Sequence, residues 1–325
     1  MEKNRKQIQM NYNKQITVKE AFGLFIRKCK VKNLTDSSIE SYQRKNHEFI
    51  EYVGENTLIK EVYKDTVDNF IIYKMDKGNI NSITMNSYLR SIKAFLYYAM
   101  ECKYMESFKI SLIKAEKKIK ETYTNEELMR LLRMPDLSHC TFSEFKIWAF
   151  ENYLLATGNR ISTALNLKIE DINFEDNIII IRKTKNRKQQ ILPLSKSLAE
   201  VLRQYLEVRG GNSEEYLFCN NYGEKGDKRT YQQQVQNYNV KRKVNKTSCH
   251  LFRHTFAKQW ILAGGDIFRL QKILGHSDLT VTKEYVAMFG QDLQLDFEKY
   301  NPLDNIKPNK AVIKMKQEIV GLIIL

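Results

Sequence analysis

The chain has 325 residues, which at about 150 residues per domain predicts two domains, each with enough hydrophobic residues for a core. Its 53 Lys and Arg residues outnumber its 38 Asp and Glu residues, and the formal net charge of +15 favours a polyanionic partner such as nucleic acid over a merely basic soluble protein. The five cysteines are scattered without a Cys-x-x-Cys pair or metal-ligand spacing to a histidine, which excludes a disulfide framework and a structural metal site.

Neither end of the chain predicts export or membrane insertion. Residues 1–15 are polar and basic, and the apolar run 319–325 is far shorter than the roughly 18 residues that span a bilayer. Together with the unpaired cysteines, these features predict a cytoplasmic protein without membrane contact. We also expect no cofactor, because the chain has no glycine-rich phosphate loop.

Residues 17–113 are predicted to form a small all-helical domain, preceded by a basic tail over 1–16. Thr17 and Glu20 have the spacing of a capping box at the start of the first helix. Basic side chains of this domain either face DNA or belong to a solvated surface; they are Arg44, Lys45 and Lys93. The four predicted helices span 18–31, 36–53, 65–75 and 81–104.

Residues 114–122 are predicted to be an interdomain linker, because they carry charges and no large apolar cluster. Thr124 and Glu127 repeat the capping-box spacing and begin a second domain over 123–300. A tail over 301–325 follows this second domain.

The second domain is predicted to be mainly helical with a small antiparallel β-sheet. An apolar helix over 145–156 ends at Gly158 and presents Arg160 just beyond its end. The segment 177–181 is continuously β-branched, and 190–194 alternates in polarity, so the two predict the paired strands of a hairpin.

Basic residues crowd the turn of this hairpin and a second segment downstream. They face either phosphate groups or solvent, and composition alone does not decide between the two. The hairpin group consists of Arg182, Lys183, Lys185, Arg187 and Lys188, and the downstream group of Lys241, Arg242 and Lys243.

A helix that begins at Ser248 places His250 and Arg253, three residues apart, on one face of its first turn. The two side chains are therefore expected to reach one phosphate together. His254 is predicted to point to a different face of the helix from His250 and to serve the structure.

Two more candidate residues lie beyond that helix. Asp266 caps a helix that ends at Gly275, so His276 is predicted to lie at the helix exit. The segment 278–289 resumes the helical pattern and carries Tyr285. A short break between the two helices is expected to bring His276 and Tyr285 into one cleft.

These are the residue types that a phosphodiester-attacking site needs. A tyrosine phenol, with a pKa of about 10, is a weak nucleophile that requires a base or nearby positive charge. Guanidinium groups bind the oxygens of a phosphoryl transition state, imidazoles donate hydrogen bonds or shuttle protons, and a lysine ammonium protonates a departing alkoxide. In that order, the candidates are Tyr285, then Arg160 and Arg253, then His250 and His276, then Lys185, with Lys183 as the alternative lysine.

Over residues 17–300 the chain resembles the tyrosine recombinases of the phage-integrase and Xer type. All six positions of that family's pattern are filled in the family's order. They are Arg160 in the run Thr157-Gly158-Asn159-Arg160-Ile161-Ser162, Lys185 ahead of Pro193, His250 with Arg253, His276 after Leu274-Gly275, and Tyr285. Two positions depart from the pattern: Thr163 stands where the family usually has an acidic residue, and Asn159 where it has an apolar one.

The resemblance implies a SAM-like core-binding domain and an α+β catalytic domain that together form a C-shaped clamp on double-stranded DNA. It implies site-specific recombination of the integrase or transposase type, through a 3′-phosphotyrosyl intermediate and by a homotetramer on paired sites. Accessory proteins that set direction or bend DNA are further expected partners, and residues 293–300 are expected to dock on a neighbouring protomer.

Other functions stay open at this point. A type IB topoisomerase has a closely similar site, and a DNA-binding regulator without catalysis has the same charge, although the complete set of six residues argues against the regulator. A nuclease is disfavoured because the chain has no clustered carboxylates at metal-ligand spacing.

Overall fold

The structure is a computed structural model that describes residues 15–78, 80–115, 121–182, 189–276, 278–289 and 301. Within these residues the protein is mainly helical with one small antiparallel sheet, which confirms the predicted fold class. The chain separates into two compact units, Met1–Lys118 and Ile119–Leu325, and the division falls inside the predicted linker. None of the described helices is long and apolar enough to cross a membrane.

The described part of the first unit is all helical. Its core is lined by aromatic rings that meet edge to face, such as Phe49 with Phe70 and Phe22 with Phe95, each pair with ring centroids 5.2 Å apart. Thr17 caps the first helix through the predicted capping box with Glu20. The helices are α1 (Val18–Val31), α2 (Asp36–Val53), α3 (Lys64–Asp76) and α4 (Ser82–Glu101).

The last helix of this unit is shorter than predicted. The sequence pattern placed its end at residue 104, whereas α4 ends at Glu101. Lys103 adopts a φ of +58°, a left-handed conformation that cannot continue a right-handed helix. The positive φ of this residue thus ends the helix earlier than the apolar periodicity of the sequence predicts.

The second unit is built around helix α6, whose side chains are buried on every face. Ten of its 16 residues are buried, and it packs against five other helices of the unit, α5, α7, α8, α9 and α10. It begins at Phe142, three residues before the predicted start, because Thr141 forms a capping box with Glu144. The helices of this unit are α5 (Asn125–Leu132), α6 (Phe142–Thr157), α7 (Ile161–Ala164), α8 (Lys196–Arg209), α9 (Lys228–Lys241), α10 (Cys249–Leu262), α11 (Ile267–Leu274) and α12 (Leu279–Phe289).

The sheet contains the predicted hairpin and one strand more. Strands β2 (Ile178–Ile181) and β3 (Gln190–Pro193) pair antiparallel, with Ile179 opposite Leu192 and Ile181 opposite Gln190. Strand β1 (Ile172–Asn173) adds to the other edge of β2. Ile179 and Ile181 point into the core, as expected for alternate residues of a strand that covers one face.

Candidate active site

The site is assembled from the end of α6, the start of α7, helix α10, the exit of α11 and helix α12. Gly158 ends α6 in a left-handed conformation with a φ of +61°. A Cβ atom at this position would lie 2.6 Å from the ring of Phe256 and 2.8 Å from the side chain of Leu274. Only glycine therefore fits both the backbone angle and the space, and the tight turn delivers Arg160 two residues later.

Arg253 lies at the centre of the site and is only 4 % exposed. Its guanidinium donates hydrogen bonds to the carbonyl oxygens of Gly158 and Leu274 at 2.9 and 2.8 Å, and to Nε2 of His276 at 2.6 Å. None of these three partners is a carboxylate, so the buried positive charge is not neutralised by them. Burial, followed by the charge of Arg160, lowers the pKa of Arg253 to about 10. An electropositive pocket of this kind favours a bound anion.

Tyr285 enters the site from α12 and is 2 % exposed. Its hydroxyl lies 2.8 Å from Nδ1 of His254, and its ring is parallel to the ring of His276 with the centroids 6.3 Å apart. Burial raises the pKa of Tyr285, whereas the charges of Arg253 and Arg160 and a hydrogen bond from Arg253 oppose that rise. The phenol is therefore neutral at rest, and cationic groups are in place to stabilise a phenolate.

His276 has hydrogen-bond partners at both ring nitrogens. Because a guanidinium can only donate, Nε2 of His276 accepts the bond from Arg253, and the ring proton of the neutral form is assigned to Nδ1. That proton is donated to Oγ1 of Thr282, which lies 2.8 Å away and is fully buried. In this arrangement His276 orients the guanidinium of Arg253.

The turn that carries His276 is held by a residue that the sequence analysis missed. Gln190, at the start of β3, donates from Nε2 to the carbonyl oxygens of Lys272 and Ile273 at 2.6 and 3.0 Å. It thereby adds a donor to two backbone oxygens at the end of α11, where the Lys272 oxygen also accepts the N–H of Gly275 at 3.0 Å. No local pattern could have indicated this contact, which joins residues 82 and 83 positions apart.

Arg160 is half-buried at the start of α7, with an extended backbone conformation. Its side chain has no hydrogen-bond or ion-pair partner among the described residues. Its charge contributes to lowering the pKa values of Arg253 and His250, which indicates that the three side chains share one electrostatic environment.

His250 is exposed near the first turn of α10. Partial loss of hydration, then the charges of Arg253, Lys228 and Arg160, lower the pKa of His250. The imidazole is therefore neutral at pH 7, and one ring nitrogen has a proton to donate while the other can accept one.

The prediction for His254 is wrong. Its ring lies stacked near that of His250, with centroids 6.4 Å apart, and its Nδ1 contacts the hydroxyl of Tyr285. Residues four positions apart lie on the same face of a helix, so the spacing from His250 to His254 was itself the signal for this placement. His254 belongs to the site.

The two departures from the family pattern are both buried. Asn159 donates from Nδ2 to the hydroxyl of Tyr153 at 2.6 Å, so its polar group is satisfied inside the core. Thr163 donates its backbone N–H to the carbonyl oxygen of Arg160 at 2.9 Å. Both residues support the turn around Arg160 through hydrogen bonds.

Five of the six predicted catalytic residues belong to this group of side chains, and the sixth, Lys185, lies outside the described residues. The alternative lysine and two other basic residues of the hairpin turn, Lys183, Arg187 and Lys188, lie outside them as well. Among the residues that the structure describes, no group of three or more His, Cys, Asp or Glu side chains could hold a metal ion.

Several of the other predicted DNA contacts already have partners in the fold. Arg182 pairs through Nε with the buried carboxylate of Asp171 at 2.5 Å. Lys241 pairs with Glu144 at 2.5 Å, the guanidinium of Arg242 lies 3.5 Å from the ring centroid of Tyr238, and Lys243 is exposed. The last three residues line a cleft of about 610 Å³ together with Arg130 and Arg133. Arg44, Lys45 and Lys93 belong to the first unit.

The chain is similar in sequence to known integrases and tyrosine recombinases. The model of the phage integrase family matches residues 121–291. The tyrosine recombinase XerD of Staphylococcus epidermidis is 25 % identical over 282 residues, which cover 83 % of this chain and 94 % of the relative. The tyrosine recombinase XerA of Pyrococcus horikoshii is 29 % identical over 236 residues, which cover 72 % of this chain and 79 % of the relative.

Solved structures share the fold. The integrase of transposon Tn1549, in complex with transposon right end DNA, aligns with a TM-score of 0.70 and 20 % identity over 83 % of this chain and 94 % of that one. A lambda integrase dimer bound to a core site aligns with a TM-score of 0.68 and 14 % identity, over 85 % of this chain and 98 % of that one.

The fold and the sequence relatives are those of a tyrosine recombinase, an enzyme that transfers DNA strands. The family model spans more than half of the chain, and the protein belongs to the phage integrase family.

Proposed function

We propose that this protein is a site-specific DNA recombinase of the integrase or transposase type, which cleaves and rejoins strands through a 3′-phosphotyrosyl intermediate. The observation that carries the proposal is the position of the Tyr285 hydroxyl. It lies near Arg253 and Arg160, which supply positive charge and donors for a phosphodiester, and beside His276, which orients Arg253. The transition state of phosphoryl transfer carries its charge on non-bridging oxygens, where two guanidinium groups bind best.

In the proposed reaction the phenol oxygen of Tyr285 attacks the phosphorus of a DNA phosphodiester. A bond forms between that oxygen and phosphorus, and the bond from phosphorus to the 5′ oxygen breaks. Arg160, Arg253 and His250 hold the phosphate, His276 keeps Arg253 in place, and Lys185 protonates the departing 5′ oxygen. A 5′-hydroxyl from another strand then attacks the phosphotyrosine and displaces Tyr285. The phosphodiester energy is conserved, so the exchange requires no nucleotide.

We further propose that the first unit is a core-binding domain that contacts DNA through α2 and α4. Arg44 is exposed, and Lys45 donates to the hydroxyl of Ser87 at 2.8 Å. Partial burial, then the charges of Arg44 and Arg90, lower the pKa of Lys45, as expected where basic side chains crowd one surface. Lys93 lies 5.0 Å from the ring centroid of Tyr97 and adds to the same basic surface.

The proposed partner is double-stranded DNA, bound by a homotetramer on two paired sites. A lambda integrase tetramer bound to a Holliday junction supports this assembly, as does the lambda integrase dimer on its core site. Recombination joins two duplexes and breaks four strands, so four nucleophiles are needed. Accessory DNA-bending or directionality proteins are part of the same proposal, as is action in the cytoplasm.

A type IB topoisomerase is the main alternative, and sequence and fold matches to recombinases and integrases do not favour it. The two functions differ in the step after cleavage. A topoisomerase relaxes supercoils as a monomer, whereas a recombinase joins two sites within one assembly. Products that contain strands exchanged between two differently labelled duplexes would support recombination, and relaxation without exchange would contradict it.

The test of cleavage uses a duplex that contains the protein's binding site, found by footprinting, with a nick near the scissile phosphate. Loss of the short product after cleavage traps the protein on DNA, which denaturing electrophoresis detects. We expect an adduct with the wild-type protein, none with Tyr285→Phe, and an undiminished amount with the control Tyr222→Phe, whose ring is 89 % exposed. An adduct formed by Tyr285→Phe would show that the nucleophile is another residue.

A further inference from the structure

His254 and Tyr285 form a direct contact between α10 and α12. Nδ1 of His254 and the hydroxyl oxygen of Tyr285 are 2.8 Å apart, within normal hydrogen-bond distance. The ring centroids are 5.6 Å apart. The contact thus joins an imidazole to the oxygen atom that would attack phosphorus.

The direction of the proton in this hydrogen bond follows from the neighbouring donor. The charge of the Arg253 guanidinium also acts on Tyr285, and a guanidinium donates hydrogen bonds but accepts none. The hydroxyl proton of Tyr285 is therefore directed away from this cation, and Nδ1 of His254 is an acceptor within hydrogen-bond distance. His254 accepts it in its neutral form, with its own ring proton on Nε2.

Tyr285 needs such an acceptor. Its side chain is 2 % exposed, so water has little access to the hydroxyl proton. Burial raises the pKa of Tyr285, so the phenol is not ionised before attack. His276 does not fill this role in the arrangement observed, because Nε2 accepts from Arg253 and Nδ1 bonds to Thr282.

We propose that His254 is a catalytic residue that takes the hydroxyl proton of Tyr285 as the phenol oxygen attacks phosphorus. This role rests on the strand-transfer function proposed above. In cleavage the proton moves from the phenol oxygen to Nδ1, the oxygen–phosphorus bond forms, and the bond to the 5′ oxygen breaks as that oxygen is protonated by the general acid. In rejoining, the 5′-hydroxyl attacks, its proton is taken up by the former acid, and the imidazolium of His254 returns its proton to the departing phenolate.

His254→Asn separates proton transfer from positioning. The asparagine side-chain oxygen takes nearly the place of Nδ1 and accepts a hydrogen bond, but an amide does not accept a proton at neutral pH. His139→Asn is the matched control, because His139 is an exposed histidine of the same unit, bonded to Asp136. The rate of adduct formation is measured in a single turnover on the nicked duplex at saturating protein.

We expect His254→Asn to lower that rate by about 10²- to 10⁴-fold, as for other general bases, without weakening DNA binding or lowering the melting temperature. His139→Asn is expected to match the wild-type rate. A His254→Asn rate within threefold of wild type would overturn the role of His254 while leaving the proposed function intact. If the wild-type protein itself formed no adduct on its binding site, the proposed function would fail, and the role of His254 with it.

A second measurement distinguishes a base from a residue that only positions the tyrosine. Tyr285 is replaced by a difluorinated tyrosine, whose phenol is more acidic, in wild-type and His254→Asn backgrounds. If His254 accepts the proton, the fold-decrease in the rate of adduct formation caused by His254→Asn is at least tenfold smaller with the more acidic phenol than with tyrosine. An equal loss with both phenols would assign His254 to positioning and overturn the proposal.

A substrate with sulfur in place of the 5′ bridging oxygen tests which proton transfer is affected, because its leaving group does not need protonation. We expect the defect of His254→Asn to persist on this substrate. Full recovery of the rate would place His254 on the side of the leaving group and overturn the proposal.

Discussion

Arg253 donates a hydrogen bond of 2.9 Å to the carbonyl oxygen of Gly158, 95 residues earlier in the chain. The bond joins helix α10 to the end of α6, from which the chain turns to Arg160. The same guanidinium also reaches the end of α11 and the ring of His276. Arg253 is thus both a candidate phosphate ligand and the side chain that fixes the three chain segments around the phosphate.

Gly158→Ala should destabilise the second unit and disturb the site together. The left-handed backbone costs an alanine roughly 1–2 kcal/mol, and the clash with Phe256 and Leu274 adds about 1–3 kcal/mol. Urea unfolding measures the loss. Gly223→Ala is the control, because its φ is +82° but the nearest atom to an added Cβ is 3.8 Å away. Equal losses for the two variants would contradict the packing argument.

Arg253→Lys should nearly abolish adduct formation although it keeps the charge. A lysine ammonium cannot reproduce the planar set of donors that reaches Gly158, Leu274 and His276. We expect the rate of adduct formation to fall at least about 100-fold, similar to the loss of one preorganised donor at a transition state. Arg133→Lys serves as the control, since Arg133 lines the cleft apart from the site. A rate within tenfold of wild type for Arg253→Lys would show that charge alone suffices.

Glu151 should make the protein less stable as the pH rises. It is fully buried in α6, neither carboxyl oxygen has a hydrogen-bond partner among the residues that the structure describes, and burial raises the pKa of Glu151 well above its ordinary value of 4.5. The folded state therefore keeps a proton that the unfolded state loses above about pH 4.5, and the free energy of unfolding falls with pH by up to ~1.4 kcal/mol per pH unit from there to the folded pKa.

Glu151→Gln should remove this part of the pH dependence, as measured by urea unfolding at several pH values between about 3 and 8. Glu144→Gln provides a comparison of opposite sign. The hydrogen bond from Lys241 lowers the pKa of Glu144, so its contribution to stability is present above 4.5 and is lost as the pH falls through the folded value. Parallel curves for wild type and Glu151→Gln would contradict a protonated Glu151 in the folded protein.

Arg44→Gln should weaken DNA binding in proportion to one phosphate contact. The slope of log affinity against log salt concentration should become smaller in magnitude by about 0.9, since one fewer counterion is released. Lys19→Gln is the control, because Lys19 is already paired with Glu55 in the same unit. An unchanged slope for Arg44→Gln would remove α2 from the proposed DNA surface.

Local sequence patterns predicted most of the helices that carry the site. The capping boxes at Thr17 and Thr124 and the glycine ends at Gly158 and Gly275 each depend on residues a few positions apart, which a sequence displays directly. The grouping of Arg160, Arg253 and Tyr285 rested on the chemistry of their residue types and on the family resemblance, since no local pattern joins positions so far apart.

Contacts between distant segments could not be predicted in this way. Gln190 reaches the end of α11, and Arg182 pairs with the buried carboxylate of Asp171. Neither pairing has a periodicity or a motif, because it depends on how the sheet packs on its neighbours. The error at His254 was of a different kind, since its four-residue spacing from His250 already placed both rings on one face.

In the proposed reaction Tyr285 attacks DNA and becomes linked to a 3′-phosphate. The most direct measurement digests the trapped adduct with protease and nuclease and locates the remaining nucleotide by mass spectrometry. We predict a single modified peptide that contains Tyr285, with the nucleotide joined through its 3′-phosphate. A nucleotide on any other residue, or one joined through a 5′-phosphate, would contradict the account.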